Sequence, residues 1–143
     1  MKIDQKIELL NKLDTKKLFS EIQAQEDLLE NLLTKDAMQK KLNAGYLGSL
    51  NDDCAEVKNI LADLTLEVPF TPEGKKPTVA ALEAWLRQQR TGNPKLANAI
   101  KQQAEVYFSL ENNRIQIEMV KKRLESLKGL LGLRTAQIEF LRE

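Results

Sequence analysis

The last third of the chain carries apolar residues at alternating steps of four and three positions. This spacing keeps one side of an α-helix apolar over its whole length and is typical of helices that pair lengthwise. We call this stripe the pairing seam; nine of its eleven positions are apolar, and the other two are polar. Its members are Val106, Leu110, Asn113, Ile117, Val120, Leu124, Leu127, Leu131, Arg134, Ile138 and Leu141.

The helix that carries the pairing seam has a clear start signal. Asn93 suits the N-cap and Pro94 the first helical position, while Gly92 suits the end of a preceding helix. No proline follows Pro94, so we predict one continuous helix over 94–141. A helix of this length cannot bury its seam alone. We therefore expect other helices to pair with it.

Six large apolar residues of the same segment lie off the pairing seam and widen the apolar face. More than one partner helix is therefore expected on it, from this chain or by self-association. Gly129 and Gly132 each weaken a helix interior by about 1 kcal/mol relative to Ala, and they permit either a bend or a close helix approach. The six apolar residues are Phe108, Ile115, Met119, Leu130, Leu133 and Phe140.

The first half of the chain is predicted to form helices at residues 3–13, 15–43 and 51–64. Asp14 and Thr15 offer a cap for the second of these helices. Ile3, Ile7 and Leu10 form a short apolar stripe on the first helix. The second helix carries a longer one, made of Leu18, Ile22, Leu29, Leu32, Leu33, Met38 and Leu42.

Two glycines, Gly45 and Gly48, indicate a bend or break after the second helix. Asp52 and Asp53 would then lie in the first turn of the third helix, where acids are favourable. The alternative is a helix that continues through both glycines. Apolar residues also keep four-three spacing across this stretch, at Leu42, Tyr46, Leu50, Cys54, Val57, Leu61 and Leu64.

Three of the four prolines fall in residues 65–77, which predicts an extended connector. A short helix over 78–91 follows, capped by Thr78, and its inward residues are expected to be Val79, Leu82, Trp85 and Leu86. The simplest assembly is a single all-α domain, residues 1–143. It is a long antiparallel helical hairpin, or coiled-coil bundle, with the short helix capping the turn.

The composition excludes several classes of function. The chain has no histidine, which removes the usual general base and the commonest metal ligand. Cys54 is its only cysteine, so it forms no intrachain disulfide, and a reducing compartment suits it. There is no apolar stretch near about eighteen residues and no signal-peptide core. We therefore expect a cytoplasmic protein with no membrane segment, no cofactor, no metal and no enzymatic activity.

Positive residues cluster around the short helix. Residues 69–101 contain six positive side chains against two glutamates, although the whole chain has a net charge of only +1. Together with Trp85 and the nearby Phe70, these cations could bind phosphate and stack on a base. Alternatively, Trp85 closes the end of the bundle and the cations are merely solvated. We call this set the basic tip: Lys75, Lys76, Trp85, Arg87, Arg90, Lys95 and Lys101.

Two groups of acidic residues suggest a possible magnesium site. If the two groups faced each other, they could hold Mg²⁺, as in all-helical nucleotide pyrophosphohydrolases. The spacing within each group instead suits first-turn acids in one case and a polar helix face in the other. The groups are Asp52, Asp53 and Glu56, and Glu26, Asp27 and Glu30.

The second half of the chain also resembles a known group of proteins. It contains TVAALEAWLRQQRTGNP at 78–94 and a Leu-rich helix that includes LRTAQI at 133–138. In these features it resembles small coiled-coil proteins of phages and prophages. The resemblance implies a viral accessory or recombination-type setting, and it carries over no functional residue.

These observations rank the functions. We expect first a non-enzymatic helical interaction protein, which acts as an adaptor, assembly factor or inhibitor. Its partner would be another protein, and the chain itself would form a homo-oligomer. The alternative is an accessory protein of phage recombination or replication that binds nucleic acid through the basic tip.

Overall fold

In the computed structural model of the chain, residues 2–12 and 14–142 are described, and helices dominate them. The five α-helices are α1 (Ile3–Lys12), α2 (Lys16–Leu42), α3 (Ala55–Leu66), α4 (Val79–Gly92) and α5 (Pro94–Arg142). A short 3-10 turn, Ala44–Tyr46, lies between α2 and α3. These described residues contain no strand. The all-α prediction is therefore confirmed.

Contacts within the chain define two compact units. Unit 1 consists of Met1–Asp36 and Asn113–Glu143, and unit 2 of Ala37–Asn112. Unit 1 thus contains α1, most of α2 and the later part of α5, whereas unit 2 contains α3, α4 and the earlier part of α5. The sequence predicted a single domain, and each of the two units has its own buried core.

The core of unit 1 forms between α2 and α5. Its buried residues come from both helices, and half-buried leucines extend the contact. Because this core is made of branched aliphatic side chains spaced four and three apart, it depends on close packing and apolar burial. The buried members are Leu18, Ile22, Val120, Leu124 and Leu127, flanked by Leu29, Leu32 and Leu131.

Two polar contacts also join α2 and α5 in unit 1. The Nδ2 of Asn113 donates a hydrogen bond to Oδ1 of Asp36 at 3.4 Å. Further along α5, the ammonium of Lys128 lies 3.4 Å from Glu26.

The core of unit 2 is built on α3 and the first turns of α5. Val57 of α3 and Leu96 of α5 are fully inaccessible to solvent. Partly buried residues from α4 and from the 3-10 turn pack around this core. The buried members are Cys54, Val57, Ile60, Leu64, Leu96 and Ala99, and the surrounding residues are Tyr46, Leu61, Trp85, Leu86 and Ile100.

Side chains cap three of the helix starts. The Oδ1 of Asn93 accepts a hydrogen bond from the Leu96 N–H at 3.2 Å, and the Oγ1 of Thr78 accepts one from the Ala81 N–H at 3.2 Å. At the start of α2, the Oδ1 of Asp14 accepts from the Lys16 N–H at 3.0 Å. These contacts satisfy amides that have no partner within their own helix. The three predicted caps are therefore confirmed.

The region around Gly45 and Gly48 departs from one of the two predictions. The α-helix ends at Leu42, and residues 47–54 are not helical, so the alternative of a continuous helix is wrong. The predicted start of α3 at 51 is also wrong, because this helix begins at Ala55. Asp52 and Asp53 therefore lie before α3, in the loop.

Other predicted boundaries shift by a residue or two. α2 was expected over 15–43 and occupies Lys16–Leu42. α4 and α5 were expected over 78–91 and 94–141, and they end at Gly92 and Arg142. α3 ends at Leu66, so the connector covers 67–78. The predicted end of α1, Leu13, lies outside the described residues.

Some residues expected on inward faces are exposed. Val79 lies in the first turn of α4 and is 73% exposed, so its predicted inward position is wrong. On α2, Leu33, Met38 and Leu42 are exposed, whereas Leu18 and Ile22 are buried. The helical stripe predicted for α2 therefore holds near its start and fails toward its end.

Candidate interaction surfaces

The pairing seam is covered along its whole length. None of its eleven positions, all within the described residues, is exposed. Because six of these positions are buried and five are half-buried, the seam is not a free binding surface. The buried members are Val106, Asn113, Ile117, Val120, Leu124 and Leu127; the half-buried ones are Leu110, Leu131, Arg134, Ile138 and Leu141.

The same stripe extends further toward the start of α5 than the sequence analysis proposed. Continuing the four-three steps backward from Val106 reaches Gln103, Ala99 and Leu96, and all three are buried. The same four-three spacing is present in the sequence and could have predicted these three positions. Gln103 hides it, because a polar residue at a seam position interrupts the apolar pattern.

Gln103 holds the loop before α3 by its side-chain amide. Its Oε1 accepts a hydrogen bond from the Cys54 N–H at 3.1 Å. Its Nε2 donates to the backbone carbonyls of Ser49 at 2.9 Å and Asp52 at 2.6 Å. One buried side chain therefore satisfies three backbone groups that no regular element pairs. We call this arrangement the glutamine clamp.

Asn113 is the second polar residue of the seam, and it is only 1% exposed. A polar residue in a seam can mark a point where the core opens to solvent, but the burial of Asn113 shows that it does not open here. The amide instead contacts Asp36 of α2. A buried polar contact of this kind favours one register of two paired helices over its neighbours.

An ion pair ties α4 to the loop that the glutamine clamp holds. The guanidinium of Arg90 donates two hydrogen bonds to Asp53, Nη1 to Oδ1 at 3.1 Å and Nη2 to Oδ2 at 2.6 Å. The hydrogen bond from Arg90 lowers the pKa of Asp53; desolvation opposes this, and the charges of Arg90 and Lys58 add to it. The same hydrogen bond raises the pKa of Arg90. This two-pronged geometry is the strong form of an Arg–carboxylate pair.

The structure separates the residues of the basic tip into two groups. Arg90 is engaged by Asp53, and Trp85 packs against the core of unit 2. Both therefore have a role in the fold. The other five, together with Phe70, are exposed side chains of unit 2: Lys75, Lys76, Arg87, Lys95 and Lys101.

The connector is shaped by a tight turn beside two of these lysines. Gly74 has a φ of 77°, a left-handed conformation that glycine adopts without strain. Its N–H donates to the Thr71 carbonyl at 2.8 Å, and the Thr71 N–H donates to the Lys75 carbonyl at 2.9 Å. Lys75 thus sits at the base of this turn.

The acids of the magnesium hypothesis are divided between the two units. Asp53 is paired with Arg90, and Asp52 accepts a hydrogen bond from the Ser49 hydroxyl at 3.2 Å. In unit 1, Glu26 pairs with Lys128 and Asp27 accepts from Gln23 at 2.9 Å. Within residues 2–12 and 14–142, no group of three or more Cys, Asp or Glu residues is arranged to hold a metal ion.

A small polar cleft lies in unit 2 between the end of α2 and α5. Its volume is about 180 Å³, which is below the roughly 300 Å³ at which small-molecule sites usually begin. Side-chain amides and one carboxylate dominate its wall, so it suits a few water molecules. The lining residues are Gln39, Asn43, Gln102, Glu105, Val106, Ser109 and Leu110.

Large apolar side chains remain exposed on several helices. They include Phe19, Leu28 and Leu33 of α2 and the six residues that the sequence analysis placed off the pairing seam. Single exposed apolar residues are ordinary, but rows of them on regular helices mark interaction surfaces. The six on α5 are Phe108, Ile115, Met119, Leu130, Leu133 and Phe140.

Comparison with protein-family models, with curated proteins and with solved structures found no match for this chain. Among the described residues, no helix is both long enough and apolar enough to span a membrane.

Proposed function

We propose that this chain is a non-enzymatic helical interaction protein, an adaptor, assembly factor or inhibitor that acts through its helix surfaces. The observation that carries the proposal is the set of exposed apolar side chains on α2 and α5, two helices that are already held together by a covered seam. Such helices need no further partner to cover their seams, so the exposed residues are available for another protein.

The proposal includes the finer architecture expected from the sequence. α2 and α5 pair as an antiparallel helical hairpin of coiled-coil type, with α4 as a short capping helix at the turn. The contacts of Asn113 with Asp36 and of Lys128 with Glu26 support this arrangement. The four-three steps of the buried leucines in the core of unit 1 support it as well.

The proposed setting is the cytoplasm. Cys54, the only cysteine, is buried and unpaired, which suits a compartment that keeps thiols reduced. A phage or prophage origin is supported by the resemblance of the second half of the chain.

Site-specific photo-crosslinking in host cells tests the proposal. A photoreactive phenylalanine analogue replaces Phe19, an exposed apolar position of α2, and the matched control replaces Asn31, an exposed polar position of the same helix. We expect a discrete protein adduct from position 19 and little or none from position 31. Equal labelling from both positions, or no adduct from either, would contradict an apolar docking surface.

The second candidate is a nucleic-acid-binding accessory protein of phage recombination or replication. It is favoured by the five exposed cations of the basic tip. Because Trp85 and Arg90 are engaged in the fold, the proposed contacts run from the five exposed cations to backbone phosphates, with the exposed Phe70 available for stacking on a base. Binding of this kind depends strongly on salt, because each neutralised phosphate releases counterions.

Charge reversal tests this second candidate. The double variant Lys75→Glu/Lys76→Glu changes two exposed residues of the connector, and Lys16→Glu/Lys17→Glu makes the same change at the exposed start of α2. Fluorescence anisotropy with labelled single-stranded and duplex DNA at low salt should show weaker binding only for the first variant. Absence of binding by the unaltered chain would eliminate this function.

A further inference from the structure

The outer side of α5 carries a second stripe at four-three spacing, distinct from the pairing seam. All ten of its positions are exposed, and Phe108, Met119 and Phe140 are 60%, 65% and 75% exposed. We call it the outer stripe. Its members are Phe108, Asn112, Ile115, Met119, Lys122, Ser126, Gly129, Leu133, Ala136 and Phe140.

Large apolar residues near the two ends of the outer stripe are placed symmetrically about the level of Leu124. Phe108 and Phe140 are equally far from this centre, and so are Ile115 and Leu133. Each end of the stripe is therefore a phenylalanine with a large aliphatic residue seven positions further inward. A two-fold interface brings residue i of one copy onto residue j of the other and j onto i. Apolar residues placed symmetrically in this way meet apolar residues at both ends of such an interface.

From this placement we infer that the outer stripe binds a second copy of the chain, with the two α5 helices antiparallel and the two-fold axis at the level of Leu124. In this register Phe108 meets Phe140 of the second copy, and Ile115 meets its Leu133. The inference deepens the proposed function, because it rests on the exposed apolar faces and names one of their partners.

The less apolar positions of the stripe are complementary in the same register. Met119 falls opposite Gly129 of the second copy. The surface at Gly129 is open, because a Cβ built on this glycine would meet no atom within 4 Å in the free chain. The long thioether side chain can therefore lie over the glycine. A parallel pairing would instead set glycine against glycine and Lys122 against Lys122, which leaves a gap and brings two like charges together.

Charge supports the antiparallel register at its centre. Lys122 falls opposite Ser126 of the second copy, so the adjacent Glu125 of that copy lies beside it. Glu125 and Lys122 are both exposed in the free chain. The two-fold symmetry then gives two Lys122–Glu125 pairs, one on each side of the two-fold axis. A polar core position flanked by an opposite charge is a known way to select one partner and one register.

The size of the stripe is adequate for a stable pair. A specific interface covers roughly 800 Å² and about twenty residues on each partner. The ten stripe positions and the residues flanking them reach that number, and five of the ten are large apolar side chains.

Charge swapping with purified full-length chain tests the inference by analytical ultracentrifugation. We expect the unaltered chain to be a dimer. Lys122→Glu alone and Glu125→Lys alone should each weaken the dimer at least tenfold. In either homodimer, residue 122 of one copy and residue 125 of the other carry the same charge in both of the symmetric pairs. An equimolar mixture of the two variants should restore the affinity to within a few-fold of the unaltered chain, since in that heterodimer both pairs again have opposite charges.

Lys121→Glu is the matched control, with the same change of charge one position outside the stripe, and it should leave the dimer unchanged. Circular dichroism shows whether each variant stays helical. A monomeric unaltered chain at several hundred micromolar, or a mixture no better than the single variants, would overturn the inference. Neither result would contradict the proposed function if the photoreactive residue at position 19 still crosslinks to a host protein.

Disulfide trapping reports the direction of the helices. Ile115→Cys mixed with Leu133→Cys should give a crosslinked dimer on mild oxidation, and each variant alone should give almost none. Crosslinking of each variant with itself would show a parallel pair and contradict the register proposed here.

Discussion

Unit 1 and unit 2 use the same helix, α5, in two different ways. In unit 1 the seam of α5 meets aliphatic residues of α2, and apolar burial provides the stability. In unit 2 the seam of α5 meets α3 through Leu96 and Ala99, and it also meets a loop, which Gln103 holds by the glutamine clamp. The pair of Asp53 with Arg90 ties the same loop to α4. The difference shows that a heptad pattern specifies a covered face without specifying what covers it.

The largest effect should come from removing a buried leucine of unit 2. Leu96→Ala deletes a side chain that is fully inaccessible, and such truncations cost about 3 kcal/mol in the free energy of unfolding. Hydrogen exchange should show amides of α3 losing protection more than those of α2 at residues 16–36. Leu66→Ala, at a position 87% exposed in the same unit, is the control. Equal loss of protection in both units would show that they unfold as one.

A smaller loss of stability is expected when either buried amide side chain of α5 is replaced, and it should be larger for Gln103 than for Asn113. Gln103→Leu leaves three backbone groups of the loop without their partner, which should cost about 2 kcal/mol. Asn113→Leu affects a long 3.4 Å contact between side chains and extends the apolar seam, so we expect a loss of about 1 kcal/mol or less. Chemical denaturation measures both variants. A greater loss for Asn113→Leu would reverse the contrast between the units.

Glycine substitutions should change stability in opposite directions in the two units. Gly132→Ala lies inside α5 in unit 1 with open space at the new Cβ, so it should stabilise by up to about 1 kcal/mol. Gly74→Ala in unit 2 forces an alanine to a φ of 77° and should destabilise by about 1 kcal/mol. Thermal melts give both shifts. A destabilised Gly132→Ala variant would indicate that another chain packs closely at this glycine.

The smallest effect should be the pH dependence of the ion pair in unit 2. Arg90 lowers the pKa of Asp53 in the folded chain, so the stabilisation is present above the ordinary value of 3.8 and is lost as pH falls through the lower folded value. Because the pair is partly exposed, we expect about 0.5 kcal/mol. Asp53→Asn should flatten the stability profile below pH 4 by this amount. An unchanged profile would mean that the pair adds no net stability.

Much of the architecture could be predicted from local patterns. Asn93 with Pro94 and Thr78 mark helix starts by satisfying nearby amides, and these interactions span only three or four residues. The pairing seam was readable because aliphatic residues repeat without interruption from Ile117 to Leu131. The point at which the buried stripe of α2 ends was harder to predict. Leu33, Met38 and Leu42 continue its helical spacing, although all three are exposed.

The candidate sites were harder to predict. Trp85 and Arg90 were grouped with the lysines as one basic tip, because composition cannot distinguish a side chain that packs inward from one that stays in solvent. Asp53 was expected in a helix turn, since acids favour such positions. Its actual partner is 37 residues away along the chain.

The amino-acid sequence by itself determined the helices, their caps and the covered face of α5, because all of these depend on periodicity and on neighbours within a few positions. Tertiary structure alone decided which residues lie against that face. A seam position is satisfied equally by an aliphatic helix or by a loop whose backbone is hydrogen-bonded, and only the three-dimensional neighbours of Gln103 and Leu124 distinguish these two outcomes.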